Sequence, residues 1–384
     1  MRLRGSTWNH ARGLAPMVAT AEAYRRVVPE VEVYWEARTL QDFGSFSVTD
    51  LSHRYDLLVI DHPHLGDATR SGALIALDAI LPADQLRVVE EQAVGPSYDS
   101  YVMDGHVWAL PIDVAAQVSV YRPDLLFTAD LPTTWRDVVR LAKRGGVLWP
   151  LKPIDAVCSF MTLAANRGTP VIAETGTFMK HDDALNVLEA MREVSANIPV
   201  ECLSWDPIQA LSVLADEQSE FCYIPLAFPY SNYSRPGFAA RMLRVANIPG
   251  IESNAATGSL LGGAGIAVSS RCSDPTAAAR HAAWVASPQV QRTTYTVSGG
   301  QPAAAAAWED ERANDLTDHF FQRIRLTLDT SWLRPRHTGF PKWQDAAGDL
   351  VNAFLLGTRG ASHTATALVE LYERVGEGTK HRNR

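Results

Sequence analysis

The chain has 384 residues, of which 46% are hydrophobic and 20% charged, and it carries a formal net charge of −8. A chain of this length exceeds one ordinary hydrophobic core, so we expect two domains. The acidic charge and the absence of a sustained run of Lys and Arg exclude a typical nucleic-acid-binding protein. No apolar run in the sequence reaches the ~18–20 residues that a membrane-spanning helix needs.

The first sixty residues alternate between strand and helix patterns. Strands are predicted at Leu3–Trp8, Val31–Arg38 and Tyr55–Ile60, with a helix from about Leu14 to Val28. This alternation predicts βαβ units and a parallel sheet. In sheets of this kind ligands bind beyond the carboxyl ends of the strands, so the polar residues after the first and third strands are candidate contacts.

The rest of the chain is mainly helical in pattern. Extended segments are predicted at Val107–Asp113, Gln117–Tyr121, Phe221–Leu226 and Leu260–Val268. The last of these carries three glycines, which mark a bend or a close backbone approach within a strand. Helices are predicted at Trp135–Arg144, Ala156–Arg167, Asp182–Ser195, Pro207–Ala215, Asp274–Ala286, Ser287–Tyr295, Lys342–Leu356 and Ser362–Val375.

The first strand ends in a polar cluster that precedes a helix. Trp8, Asn9, His10 and Arg12 lie there. A helix N-terminus favours a polar or anionic oxygen nearby, and Arg12 can form a bidentate pair with a carboxylate. We expect ligand contacts from these four residues, with an ordinary loop around a buried tryptophan as the alternative.

Asp61, His62 and His64 follow the third predicted strand and have three interpretations: a metal or acid–base site, hydrogen bonds to a ligand, or a structural role. In an extended segment, side chains two residues apart face opposite sides, which argues against joint metal ligation by the two histidines. We therefore expect ligand contacts at all three residues and no metal.

Aromatic side chains near turns are candidates to stack on a flat ligand. Phe228 and Tyr230 lie in a loop rich in Pro and Gly, and Tyr98 forms a second aromatic pair with Tyr101. Trp149 ends a strand-like segment, where it can stack on a sugar ring or fill the core.

Catalytic and cofactor motifs are absent from the sequence. There is no G-x-S-x-G, GxGxxG or Walker loop, and the glycines at 262–265 lie within a strand and not at a strand-to-helix turn. We predict no catalytic residue, no cofactor and no enzyme activity.

The cysteines at 158, 202, 222 and 272 have no C-x-x-C spacing. Either Cys202 and Cys222 form a disulfide in an oxidising compartment, or all four cysteines are buried thiols.

Several short motifs occur in a fixed order along the chain. They are Leu110-Pro111-Ile112-Asp113 before Val120-Tyr121-Arg122-Pro123-Asp124-Leu125-Leu126, Pro132-Thr133-Thr134-Trp135, Gly262-Gly263-Ala264-Gly265-Ile266-Ala267-Val268, the stretch from Asp274 to Pro302, and Arg334-Pro335-Arg336. Their order resembles the family 1 extracellular solute-binding proteins of bacterial ABC importers, the group that contains the maltose- and oligosaccharide-binding proteins. The resemblance covers about 110–340 strongly and 1–70 moderately.

The resemblance implies an α/β, periplasmic-binding-protein-like (type II) fold with two α/β lobes joined by crossing hinge strands. One lobe would comprise 1–110 plus 263–307 and the other 113–258 plus 310–384, with hinges near 109–115, 258–265 and 305–312. Asp61, Asp113, Gly263 and Arg334 would then face the ligand between the lobes. For Asp113 a salt-bridged hinge residue is the alternative, and for Arg334 a solvated connector.

The implied function is that of the substrate-binding protein of an ABC importer. The ligand would be a carbohydrate or sugar derivative, held by hinge closure, and His10, Arg12, Arg334 and Arg336 leave room for an acidic one. The resemblance also implies a monomer, an importer permease as partner and a periplasmic or extracellular location. Because the sequence shows no export signal, a removed signal and a cytosolic protein are both open. The second hypothesis is a cytosolic ligand sensor or an enzyme that uses Asp61, His62 and His64.

Overall fold

The computed structural model describes residues 1–39, 47–171, 178–251 and 256–380, with the backbone alone for 375–380. These residues form two compact units. The first contains Met1–Ala115, Gly262–Gln322 and Arg336–Thr338, and the second contains Ala116–Leu261, Arg323–Pro335 and Gly339–Arg384. Each unit has a hydrophobic core of its own, as expected for a chain of this length.

A five-stranded sheet forms the centre of the first unit. Its strands are β1 (Arg2–Trp8), β2 (Glu32–Arg38), β3 (Leu57–Ile60), β10 (Leu261–Val268) and β6 (Ala109–Ala116), in the order β2-β1-β3-β10-β6. Strand β1 pairs in parallel with both β2 and β3, as the alternation of strands and helices predicts. The carboxyl ends of β1 and β3 therefore lie side by side, which brings the residues after Trp8 close to those after Ile60.

Strand β10 departs from the prediction of a parallel sheet. It runs antiparallel to β3, with Gly265 opposite Ile60 and Val268 opposite Leu57. The apolar residues of β10 are buried on both faces, a pattern that looks the same for either direction of pairing. Its direction is set by the path of the returning chain and not by its residues.

Helices cover the sheet of the first unit. The long helix Ala11–Val27 and the helix Pro275–Ala286 bury small and apolar side chains against it. The predicted helix Ser287–Tyr295 is instead a short α-helix, Pro288–Val290, followed by a π-helical turn, Gln291–Tyr295. The remaining α-helices of this unit are Val48–Ser52, Leu65–Arg70, Ala83–Glu91, Ala305–Trp308 and Glu311–Asp315. Its 3-10 turns are His62–His64, Leu77–Ala79, Gly95–Ser97 and Asp99–Tyr101. Strands β4 (Val102–Met103) and β5 (His106–Val107) form a two-stranded ribbon.

The second unit contains a three-stranded antiparallel sheet surrounded by helices. Strand β7 (Val118–Tyr121) lies between β8 (Tyr223–Ala227) and β9 (Arg244–Ala246). Its α-helices are Trp135–Ala142, Pro153–Asn166, His181–Ser195, Pro207–Leu214, Arg325–Asp329, Phe340–Leu355 and Ala361–Lys380, and the helix Phe320–Arg323 ends at the boundary between the units. Across the described ranges, none of the helices combines the length and the hydropathy needed to cross a membrane.

The boundary between the units at Gln322/Arg323 differs from the one expected from the sequence. The expectation placed a hinge near 305–312 and assigned everything from 310 onwards to the second lobe. In the structure the first unit extends to Gln322 and takes up Arg336–Thr338 as well. The reason is packing: Trp308 is buried and donates its indole N–H to Pro302 O, and Asn314 donates to Trp308 O, so the segment continues the fold of the first unit.

His281 is buried without a hydrogen-bond partner in the core of the first unit. Both ring nitrogens lack a partner among the described residues, and the ring lies between aromatic side chains, 4.7 Å from Tyr24 and 6.5 Å from both Trp35 and Trp284 by ring centroids. Burial lowers the pKa of His281 to about 3. The imidazole is therefore neutral in the folded protein over the physiological range of pH.

Stability is expected to fall on acidification because of His281. Below about pH 6.5 the His281 imidazole takes up a proton in the unfolded chain but not in the folded chain. The free energy of unfolding is therefore unaffected by His281 above that pH and decreases as the pH falls towards 3. We expect His281 to lower the free energy of unfolding by about 2 kcal/mol at pH 5 relative to pH 8. Urea unfolding of His281→Phe at both pH values should show a pH dependence weaker by that amount, whereas His53→Phe, at an exposed histidine, should match the parent protein. Equal pH dependence in the parent and His281→Phe would contradict the prediction.

Candidate functional site

The carboxyl end of β1 carries a buried ion pair. Arg12, in the first turn of the helix Ala11–Val27, donates from Nε and Nη2 to the two carboxylate oxygens of Asp113 at 2.8 and 2.5 Å. Both side chains are nearly inaccessible, at 6% and 1% exposure. Burial raises the pKa of the Asp113 carboxyl, and the Arg12 guanidinium opposes that rise. Asp113 thus has the salt-bridged role that was one of its two predicted roles, and Arg12 already has a carboxylate partner.

His10 and Trp8 shape the approach to this pair. His10 is the N-cap of the helix and its Nδ1 accepts a hydrogen bond from Arg12 N at 3.0 Å. Burial and the neighbouring Arg12 guanidinium lower the pKa of His10 to about 4, so its imidazole is neutral at pH 7. Trp8 is buried against Gly13, where a Cβ would lie 2.4 Å from the indole ring. Asn9 is exposed, and its backbone N–H donates to Arg38 O.

The carboxyl end of β3 continues into a 3-10 turn, His62–His64. Asp61 retains 26% side-chain exposure, and its Oδ1 lies 3.1 Å from Nδ1 of the buried His62. The His62 ring meets the Tyr101 ring edge to face, and Tyr101 donates its hydroxyl to Ile60 O at 3.0 Å. His64 is half-buried. The fold therefore leaves part of the Asp61 carboxylate exposed and buries the neighbouring His62.

Strand β10 and the loop before Pro302 complete the surroundings of Asp113. Gly263 has φ +117°, and a Cβ there would lie 2.3 Å from Asp113 O, so only glycine fits. Gln301 is buried and exchanges hydrogen bonds with Val114, accepting from its N–H and donating to its carbonyl. Gly263 thus acts by letting the backbone of β10 approach the segment that carries Asp113.

Three buried side chains near these residues did not stand out in the sequence. The sequence pattern predicts only an aromatic pair for Tyr101 and a helix for Tyr295, and it predicts no site at Gln301. The Tyr295 hydroxyl lacks a hydrogen-bond partner among the described residues, and burial together with the Asp113 charge raises its pKa. The signal for Gln301 in the sequence is the pair of glycines before it, Gly299 and Gly300, because glycines permit a close backbone approach.

Tyr98 and Trp149 lie in hydrophobic cores. Tyr98 is 7% exposed in the core of the first unit, and burial raises its pKa to about 12. Trp149 is fully buried in the core of the second unit, packs against Trp135 and donates its indole N–H to Ser159 Oγ. The core-filling alternative therefore describes Trp149, because its ring presents no accessible face for stacking.

The other candidates from the second unit lie in two places. Phe228 is half-buried against the core, and Tyr230, 8% exposed, precedes the 3-10 turn Ser231–Ser234. Arg334 is 3% exposed and donates from Nη1 to Gln344 Oε1 at 3.0 Å. Arg334 is therefore a buried, hydrogen-bonded residue, in contrast to the solvated connector that was its alternative role.

The described residues show neither a cluster of metal ligands nor a disulfide between Cys202 and Cys222. Within the described part of the chain, no group of three or more His, Cys, Asp or Glu side chains is placed to hold a metal ion. All four cysteines are buried thiols, and Cys202 and Cys222 do not form a disulfide. Burial raises the pKa of Cys202 to about 11 and that of Cys222 as well, so both thiols are protonated at neutral pH.

One protein-family model matches most of the chain. The sequence model described as bacterial extracellular solute-binding protein matches residues 47–319, well over half of the chain. None of the curated proteins compared with the chain matches it.

Solved structures of low sequence identity share the fold along nearly the whole chain. Maltose-bound MalE3 of T. maritima is 18% identical with a TM-score of 0.81, covering 97% of this chain and 99% of that one. An ABC transporter solute-binding protein from Agrobacterium radiobacter K84 in complex with ribitol is 17% identical with a TM-score of 0.82, covering 98% of each chain. One from Agrobacterium vitis S4 with bound D-mannitol is 15% identical with a TM-score of 0.77, covering 98% of this chain and 99% of that one. These likenesses confirm the predicted type II periplasmic-binding-protein-like fold.

Proposed function

Because the chain belongs to the bacterial extracellular solute-binding proteins, we propose that it is the substrate-binding protein of an ABC importer. The observation that carries the proposal is the family match over residues 47–319, which also confirms the family predicted from the sequence. The family is extracellular, and a periplasmic or extracellular location is part of the proposal. So are a monomeric state and a permease partner.

The ligand we propose is a neutral carbohydrate or polyol. Solved structures of the same fold contain maltose, ribitol and D-mannitol. Arg12, Arg334 and His10, which would favour an acidic ligand, have other roles in the structure. Arg12 pairs with Asp113, Arg334 bonds Gln344, and His10 is held neutral by burial. Polyhydroxyl ligands suit the accessible Asp61 carboxylate, which accepts hydrogen bonds from hydroxyl groups.

The mechanism we propose is a ligand-dependent change between two arrangements of the units, in which the ligand binds the closed arrangement more tightly. Strands β6 and β10 support it, because each contains a division between the units, at Ala115/Ala116 and Leu261/Gly262. The hinges at 109–115 and 258–265 and the contacts from Trp8, Asn9, His64, Phe228 and Tyr230 remain predictions of this proposal.

The alternative of an enzyme or cytosolic sensor that uses Asp61, His62 and His64 is not favoured. His62 is 1% exposed and lies against Asp61 and Tyr101, so its imidazole is not presented for acid–base chemistry on a substrate. The family match points to binding and not to turnover.

Calorimetry with maltose, ribitol, D-mannitol and matched sugar acids tests the proposal. We expect binding of at least one neutral ligand and a loss of at least about tenfold in affinity for Asp61→Asn, because a charged hydrogen bond becomes a neutral one. Asp67→Asn, a carboxylate on the next helix, is the matched control and should bind as the parent protein does. Binding of sugar acids alone, or of no compound by folded, ligand-free protein, would contradict the proposed ligand class.

A further inference from the structure

Arg336–Thr338 is a three-residue excursion of the chain into the first unit. The residues before it, 323–335, and those after it, 339–384, belong to the second unit. The excursion begins after the buried Pro335 and ends at Gly339, whose φ of +84° lets the chain turn into the helix Phe340–Leu355. We call these three residues the 336–338 segment.

The 336–338 segment binds the start of the helix Leu65–Arg70 through one backbone carbonyl and one side-chain hydroxyl. Gly66 N donates to Arg336 O at 3.0 Å, and Thr338 Oγ1 donates to Gly66 O at 3.2 Å. The first-turn amides of a helix have no partner within the helix, so the Arg336 carbonyl satisfies one of them. A Cβ at Gly66 would lie 2.3 Å from Arg336 O, and the segment can approach this closely only because residue 66 is glycine.

The Arg336 side chain binds a second site on the same unit. Its Nη2 donates to Asp99 O at 3.0 Å and to Val102 O at 2.8 Å. These two carbonyls flank Tyr101, whose hydroxyl donates to Ile60 O and whose ring contacts His62. Arg336 therefore fixes the backbone around Tyr101. Tyr101 in turn contacts Ile60, just before the His62–His64 turn, and His62 within it.

Both ends of that turn are thus connected to one short segment. Gly66 lies two residues after His64, and Tyr101 contacts Ile60 and His62 at its start. On either side, the segment is fixed in the second unit by Arg334, which bonds Gln344, and by the fully buried Phe340. The turn is therefore held by a short stretch of chain whose neighbours in the sequence, on both sides, belong to the second unit.

We propose that the 336–338 segment positions the Asp61–His64 turn for ligand binding, with Arg336 and Gly66 as positioning residues that do not touch the ligand. The part that concerns ligand rests on the proposed function. The part that concerns the turn does not, because it follows from hydrogen bonds within the first unit.

Hydrogen exchange of the ligand-free protein tests the structural part. Arg336→Met removes both bonds to the carbonyls, and we expect amides at 62–66 and 101–103 to exchange about tenfold faster. Gly66→Ala displaces the segment from the other side and should give the same pattern, although alanine normally favours a helix. Arg336→Lys should restore part of the protection, and Arg70→Met, which removes a charge from the same helix, should leave it unchanged. Unchanged exchange in both Arg336→Met and Gly66→Ala would overturn the proposal.

Calorimetry of the same variants with maltose, ribitol and D-mannitol tests the part that concerns ligand. We expect Arg336→Met to weaken the affinity for the ligand that the parent protein binds by about fivefold or more, with partial recovery in Arg336→Lys. Faster exchange with unchanged affinity would overturn the positioning role. If the parent protein binds none of the three compounds, the proposed ligand class is wrong. The hydrogen-exchange result is independent of that outcome and still decides whether the 336–338 segment holds the turn.

Discussion

Replacing Asp113 by alanine is expected to destabilise the first unit by about 3–5 kcal/mol, because it leaves the buried Arg12 guanidinium without its carboxylate. The two side chains form a bidentate pair that is almost closed to water. Removing one partner of such a pair costs more than the pair contributes, since the remaining charge is neither hydrated nor neutralised. Urea unfolding followed by circular dichroism at pH 7 measures the effect.

A double-mutant cycle provides the control for Asp113→Ala. Arg12→Ala should also destabilise strongly, because it leaves a buried carboxylate unpaired. The double variant Arg12→Ala/Asp113→Ala should be less destabilised than the sum of the two single variants, since no unpaired charge remains. Additive losses across the cycle would show that the two charges do not interact in the folded protein and would contradict the prediction.

Gly263→Ala is the second change with a large expected effect. A methyl group at residue 263 would lie 2.3 Å from Asp113 O and 2.8 Å from Val114 Cα, both backbone atoms that cannot rotate away. The backbone φ of +117° is also disfavoured for alanine. We expect a loss of about 3–5 kcal/mol from strain and overpacking together, measured by chemical unfolding.

Gly72→Ala is a control for a positive φ without a steric clash. Gly72 has φ +64°, and a Cβ added there would have no neighbouring atom within 4 Å, so alanine at this position meets conformational strain alone. The expected loss is about 1–2 kcal/mol. Similar losses in Gly263→Ala and Gly72→Ala would show that the close approach of β10 to the Asp113 backbone contributes little, against the present interpretation.

Much of the fold can be predicted from the sequence, because strands and helices follow from the local pattern of apolar and polar residues. The buried run Leu57–Ile60 and the apolar strand β10 form where predicted, and the motifs from Leu110 to Pro302 indicated the family that the comparisons confirm. The clustering of Trp8, Arg12 and Asp61 in the first unit follows from the rule that parallel strands end at the same edge of a sheet. Such features need only the spacing of side chains and the direction of the strands.

The partners of individual polar and aromatic side chains are decided by tertiary structure. Arg12 looked available for an acidic ligand, yet Asp113, 101 residues away in the sequence, occupies its guanidinium. Trp149 looked able to stack on a sugar, yet it fills a core, because a ring at a strand end can face either inwards or outwards until the neighbouring helices are placed.

The sequence by itself therefore determined the class of fold, the family and the stretch of chain around Asp61 that we propose binds ligand. Tertiary structure alone decided that Arg12 is neutralised, that β10 runs antiparallel to β3, and that Arg336–Thr338 belongs to the first unit. The physical reason is the range of the interactions. Hydrophobic periodicity and turn propensity act within a few residues, whereas a salt bridge or a close backbone approach joins residues that only the folded chain brings together.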